Sequence, residues 1–72
     1  MFKLFLYAER QWFSTVEIYG TRGFTWKNIQ KIQGEIDSNL RYWKFPVTWS
    51  LSFDNEDVTK EFIAQRDEMY KK

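Results

Sequence analysis

The period of the hydrophobic pattern changes along this chain, and that change limits what the chain can fold into. Between Trp26 and Trp43 the apolar residues Trp26, Ile29, Ile32, Ile36, Leu40 and Trp43 recur every three or four positions, which lays one stripe along a helix of 3.6 residues per turn. On either side of it the period is two. Over residues 2–7, Phe2, Leu4 and Leu6 alternate with Lys3, Phe5 and Tyr7; over 12–19, Trp12, Ser14, Val16 and Ile18 alternate with Phe13, Thr15, Glu17 and Tyr19. The alternation is cleanest over 45–53, where Phe45, Val47, Trp49, Leu51 and Phe53 share one face. Alternation of this kind marks strands with one buried face.

The polar stretch 8–11 joins the first two strands as an antiparallel hairpin. Gly20, Thr21, Arg22 and Gly23 end the second strand, since two glycines in four residues permit positive φ. Thr25 is placed to cap the helix. Gly34, inside the helical stripe, is expected to admit close approach to the sheet or a bend. Pro46 lacks an amide hydrogen, which puts the third strand at the periphery of the sheet or Pro46 at its start. Asp54 and Asn55 are expected to cap a second helix, with Glu56 and Asp57 in its first turn, Lys71 and Lys72 at its far end, and Val58, Phe62, Ile63, Met69 and Tyr70 as its buried stripe. The predicted order is strand, strand, helix, strand, helix.

A right-handed crossover through the first helix places the third strand beside the first, giving sheet order 2-1-3. The expectation is therefore one α+β domain over residues 1–72: a two-layer fold, with a three-stranded antiparallel or mixed sheet and both helices on one face.

At 72 residues such a domain buries only about 60% of the surface its unfolded chain exposes. The aromatic residues compensate. They make up 21% of the chain, and large rings bury more area per residue than aliphatic side chains. Cysteine and histidine are both absent, so there is no disulfide framework or thiolate metal site, and the commonest acid–base side chain is missing. Asp54, Glu56 and Asp57 form the one acidic cluster, and a helix start explains them better than a cation does. No glycine-rich phosphate loop, serine elbow or paired acid–base motif occurs. The expectation is a protein that is not an enzyme, with no cofactor and no metal. The apolar run 2–8 is broken by Lys3 and is too short for a membrane span or a signal-peptide core, which points to the cytoplasm. Eleven basic and ten acidic residues leave a net charge of +1, so any electrostatic recognition has to be local.

With both helices on one side, alternation assigns Phe5, Tyr7, Phe13 and Tyr19, with Thr15, Thr48 and Ser50, to a sheet face that nothing covers. Aromatic patches rimmed by polar groups mark interaction surfaces. Arg10, Arg22, Lys27 and Arg41 are read as the charged contacts around the rings. Such a face suits a protein partner, a component of a nucleic-acid-processing complex among them. It also suits single-stranded nucleic acid, whose bases stack on rings while cations hold phosphates, or a second copy of the chain. Arg41, Tyr42, Trp43 and Lys44 are read as a helix end, with a cation near the negative pole of the dipole and Trp43 anchored in the core. The segment containing Lys60, Glu61, Gln65, Arg66, Asp67 and Glu68 is read as a solvated face.

Arg22, Gly23 and Phe24 resemble the start of the ribonucleoprotein motif of RNA-recognition domains. The resemblance covers three residues, in a loop entering a helix, where that family has a strand. The build as a whole resembles small phage-encoded inhibitors of host or defence proteins, anti-CRISPR proteins among them: a short aromatic-rich chain that starts at Met1 directly in a strand, has a compact mixed fold and lacks catalytic residues. That resemblance carries no motif and no residue roles. It implies a stoichiometric inhibitor that occludes a functional surface of its partner or locks the partner's conformation.

Overall fold

The computed structural model describes residues 1–20 and 22–71. The parts of the expectation that rest on Thr21 and Lys72 lie outside the described residues. The elements are β1 (Phe2–Ala8), β2 (Gln11–Ile18), α1 (Trp26–Tyr42), β3 (Thr48–Phe53), β4 (Glu56–Asp57) and α2 (Thr59–Tyr70). They form one antiparallel sheet of order β2-β1-β3-β4. The α+β class and the neighbours of β1 are as the periodicity predicts, but the sheet has four strands, not three.

The fourth strand comes from a different use of Asp54 and Asn55. Both have positive φ, 49° and 71°, and they form the two-residue turn of a hairpin in which Phe53 faces Glu56 and Ser52 faces Asp57. Asp and Asn suit a helix cap and a left-handed turn for the same reason, a short polar side chain that bonds nearby backbone. β3 is therefore not the outermost strand. It also starts at Thr48, later than alternation predicts, and leaves Phe45 and Pro46 in the connection.

The helix start moves to Thr59. Asp57 still serves it, since its carboxylate accepts a hydrogen bond from the Thr59 amide at 2.9 Å, and that contact holds the Asp57 carboxyl below its ordinary pKa. The Thr59 hydroxyl accepts from the Leu51 amide at 2.8 Å and lies 3.3 Å from the Leu51 carbonyl, to which it donates. The first turn of α2 is thereby tied to β3.

Phe2, Leu4, Leu6, Ile18 and Leu51 from the sheet are buried with Ile29, Ile32 and Ile36 of α1 and Phe62 of α2, each at most 2% exposed. Both helices therefore cover the same face of the sheet. They run antiparallel: Trp26 at the start of α1 meets Tyr70 at the end of α2 with ring centroids 5.4 Å apart, and Arg66 Nη1 donates to Gln33 Oε1 at 3.0 Å. Arg66 also lies over the Phe62 ring, so this part of the expected solvated face is a contact between the helices. Trp26, Leu40 and Tyr70, expected in the buried stripes, are exposed. No helix among the described residues is long and apolar enough to cross a membrane.

Gly34 does not serve a close approach, because a Cβ built on it meets nothing within 4 Å. Replacing glycine by alanine in an exposed helix interior removes a backbone-entropy penalty of about 0.5–1 kcal/mol. Gly34→Ala is therefore expected to raise the unfolding free energy by about that amount in urea titration, and an unchanged or lower midpoint would show that α1 needs the glycine.

Candidate functional site

Nothing among the described residues covers the other face of the sheet, and its residues follow from the strand register. Lys3, Phe5 and Tyr7 of β1 project there, opposite Glu17, Thr15 and Trp12 of β2 and opposite Ser52, Ser50 and Thr48 of β3. Asp57 of β4 lies beside Ser52. Tyr19 continues past the end of β2 on this side, where its hydroxyl donates to Glu17 Oε1 at 3.0 Å.

Trp12 belongs to this face and Phe13 does not, which reverses the sequence-based assignment of both. The cause is a β-bulge. Leu6 faces Ser14, but the next residue of β1, Tyr7, faces Trp12, so Phe13 is an extra residue on β2. Both ends of the hairpin are constrained, and their registers differ by one residue. The two-residue turn pairs Ala8 with Gln11, while burial pairs Phe2 with Ile18 and Leu4 with Val16. A bulge absorbs that difference and turns the side chains beyond it to the opposite face. Phe13 then packs on the helix side, edge-on to Trp43 with centroids 4.9 Å apart and 5.5 Å from Phe45. Trp43 is anchored there as expected, although its buried Nε1 has no hydrogen-bond partner among the described residues.

Three of the four rings on the open face are each held by a hydrogen bond. Trp12 Nε1 donates to Thr15 Oγ1 at 2.8 Å, the Tyr7 hydroxyl and Ser50 Oγ share a bond at 3.1 Å, and Tyr19 is fixed on Glu17. The Glu17 carboxylate, through that bond and then through its charge, raises the Tyr19 hydroxyl above its ordinary pKa. Trp12 and Tyr19 stand 59% and 64% exposed, whereas Phe5 is half-buried among its neighbours. Rings already held in place lose little freedom when a partner covers them.

The face is divided. Rings occupy the β1–β2 half, and a shallow depression of about 270 Å³ beside Phe5 and Tyr7 is floored on the β3–β4 side by Ser50, Ser52 and Asp57. The projecting charges are Lys3, Glu17 and Asp57, a net −1, with the one cation paired in register with a carboxylate.

The three arginines assigned to this face, Arg10, Arg22 and Arg41, do not gather around it. Arg10 is at its rim, at the tip of the β1–β2 hairpin, where a groove of about 640 Å³ runs between Tyr7, Thr48, Phe45 and Pro46. Arg22 lies in the loop entering α1, where its carbonyl accepts from Asn28 Nδ2 at 2.7 Å. It lines a separate cavity with Met1, Phe53 and Asp54. Arg41 is exposed in the last turn of α1, on the helix layer, and Lys27 is exposed near the start of that helix. The ring of the Arg22–Gly23–Phe24 segment packs against Phe2 and Phe62 at 5.4 and 5.9 Å, within the helix-side core.

The acidic cluster is dispersed into structural roles. Asp54 accepts from the Met1 ammonium at 3.0 Å, Asp57 accepts from the Thr59 amide at the start of α2, and Glu56 faces Phe53 across the hairpin. No group of three candidate metal-ligating residues occurs among the described residues. Compared with known proteins, the chain matches no family model, no curated protein and no solved structure.

Proposed function

We propose that this chain is a small non-catalytic protein-binding modulator that engages its partner through Phe5, Tyr7, Trp12 and Tyr19, with Arg10 at the rim. The observation that carries the reading is an uncovered sheet face whose exposed rings are hydrogen-bonded in place. Aromatic anchors of this kind dominate interface energetics, and Ser50 and Asp57 add acceptors for a partner's donors. The mechanism that fits a chain with little to react with is stoichiometric: it occludes a functional surface on a host or defence protein. The charge on the face separates this reading from single-stranded nucleic-acid binding. Phosphate recognition requires a surplus of cations, and here Lys3 and the rim residue Arg10 are matched by Glu17 and Asp57.

The test is affinity capture from the native host's lysate, with and without nuclease, comparing the wild type with Phe5→Ser/Trp12→Ser. The expected result is one stoichiometric protein that survives nuclease and is lost in the variant, since truncating an anchoring tryptophan costs about 2 kcal/mol or more, roughly 30-fold in affinity. Trp12 is exposed enough that the variant should remain folded, which circular dichroism checks. Recovery that depends on nucleic acid would replace the protein-binding reading, and a variant that still binds would show that the contact lies elsewhere.

A further inference from the structure

On the open face the strands differ in the height of their side chains. β3 contributes Ser50 and Ser52, two short residues, between Phe5 and Tyr7 of β1 on one side and Asp57 of β4 on the other, with Phe5 facing Ser50 and Ser52 facing Asp57. Low residues between taller ones leave the depression of about 270 Å³, which Asn55 of the β3–β4 turn also lines. That volume lies below the roughly 300–1,000 Å³ of a small-molecule site. It suits the head of one side chain brought by a larger partner.

The charge in this depression has one sign. Asp57 is the one charged residue that lines it. The Thr59 amide donates to Oδ1 of that carboxylate, and this contact favours the ionised form. No hydrogen bond or ion pair reaches Oδ2 among the described residues. Lys3 is set opposite Glu17 and does not line the depression. Lys60, whose charge also favours the ionised carboxylate, lies towards α2, in a neighbouring depression with Thr59 and Glu61. Aromatic rings attract cations to their faces, and the bond shared by the Tyr7 hydroxyl and Ser50 Oγ holds one of the two rings in place. A carboxylate with a free oxygen, beside two rings, is complementary to a cation.

We propose that this depression receives the guanidinium of an arginine presented by the partner protein. The guanidinium plane stacks on the Phe5 and Tyr7 side, while its edge donates to the free oxygen of Asp57 and to Ser50 Oγ, which retains acceptor capacity beside its bond to Tyr7. Guanidinium joins a planar face to several edge donors and is weakly hydrated, whereas an ammonium is a compact, strongly hydrated charge. Arginine is for that reason the favoured occupant. The proposal deepens the protein-binding reading and rests on it for the source of the arginine.

Amide NMR titration of the isolated chain tests it, with N-acetyl-arginine amide at millimolar concentrations as the probe and the citrulline and lysine amides beside it. The arginine probe is expected to give saturable shifts centred on Phe5, Ser50, Ser52 and Asp57, with lysine binding more weakly and the neutral citrulline not at all. Asp57→Asn, which keeps an acceptor for the Thr59 amide, should weaken arginine binding by about threefold or more. Lys60→Gln removes the competing cation and should tighten binding about twofold, and a gain is not a symptom of misfolding. No saturable shift, shifts centred elsewhere, an equal response to citrulline or lysine, or indifference to Asp57→Asn would each overturn the proposal. Because the titration uses the chain alone, a silent titration overturns this proposal even where capture succeeds, and a failed capture overturns the protein-binding reading even where the arginine probe binds.

Discussion

Phe62→Ala is expected to lower the unfolding free energy by about 3–5 kcal/mol, the usual range for deleting a fully buried phenylalanine. A domain of this size holds roughly 4–11 kcal/mol in total, so much of the margin goes with one ring. Phe62 is the one side chain of α2 that is completely buried. Its ring lies 5.9 Å from both Phe24 and Trp49, and Arg66 rests over it at the same separation. The remaining apolar contacts of α2, Ile63 and Met69, are only half-buried. The loss should therefore appear first in α2, as faster amide exchange there than in β1. Urea unfolding measures the total. A change under about 1.5 kcal/mol would mean that the cavity collapses or that α2 docks mainly through its ties to Leu51.

Glu9→Asn/Arg10→Gly is expected to act in the opposite direction and to stabilise the domain by about 2 kcal/mol. Glu9 and Arg10 form the two-residue turn between β1 and β2 with φ of 51° and 67°, which is the left-handed region for both. That conformation costs roughly 1–2 kcal/mol for a residue with an ordinary side chain and is readily adopted by glycine and asparagine. The second two-residue turn of the same sheet makes the comparison within the molecule, since it places Asp54 and Asn55, which tolerate the region, in nearly the same geometry. Backbone strain retained at one hairpin tip invites a functional reason, and Arg10 stands at the rim of the aromatic face. The stabilised variant is accordingly expected to bind the captured partner less well. Thermal unfolding and capture, run on the same protein, measure the two effects. A variant no more stable than the wild type would show that the tip relaxes its strain in another way.

Much of the fold was legible because alternation and helical spacing are local properties. Phe2, Leu4 and Leu6 had to share a face whatever they packed against, and Ile29, Ile32 and Ile36 had to form one stripe. Antiparallel pairing on both sides of β1 followed from chain order and crossover handedness. The errors begin where a local signal has two physical readings. Asp54 and Asn55 suit a helix cap and a left-handed turn equally, and only the pairing of Ser52 with Asp57 selects the turn. Trp26 and Leu40 fit the helical spacing yet are exposed: in the 17-residue α1 the buried residues are Ile29, Ile32 and Ile36.

The candidate site shows the same division. Phe5 and Tyr7 were placed on the open face by alternation within β1, a strand without irregularity. Trp12 was missed and Phe13 misassigned, because the bulge arises from a disagreement between two distant constraints, the turn at residues 9–10 and the burial of Ile18 and Val16. Arg10, Arg22 and Arg41 are read as contacts around one set of rings, and the structure separates them by element. The sequence by itself therefore determined the element types, the order of β2, β1 and β3, and which residues of each regular stretch share a side. The tertiary structure decided the fourth strand, the face of each residue beyond the bulge, and which charges stand near the rings. The physical reason is that backbone periodicity is set within a few residues, whereas register is set by pairing energies summed along a whole strand and adjusted wherever its two ends disagree.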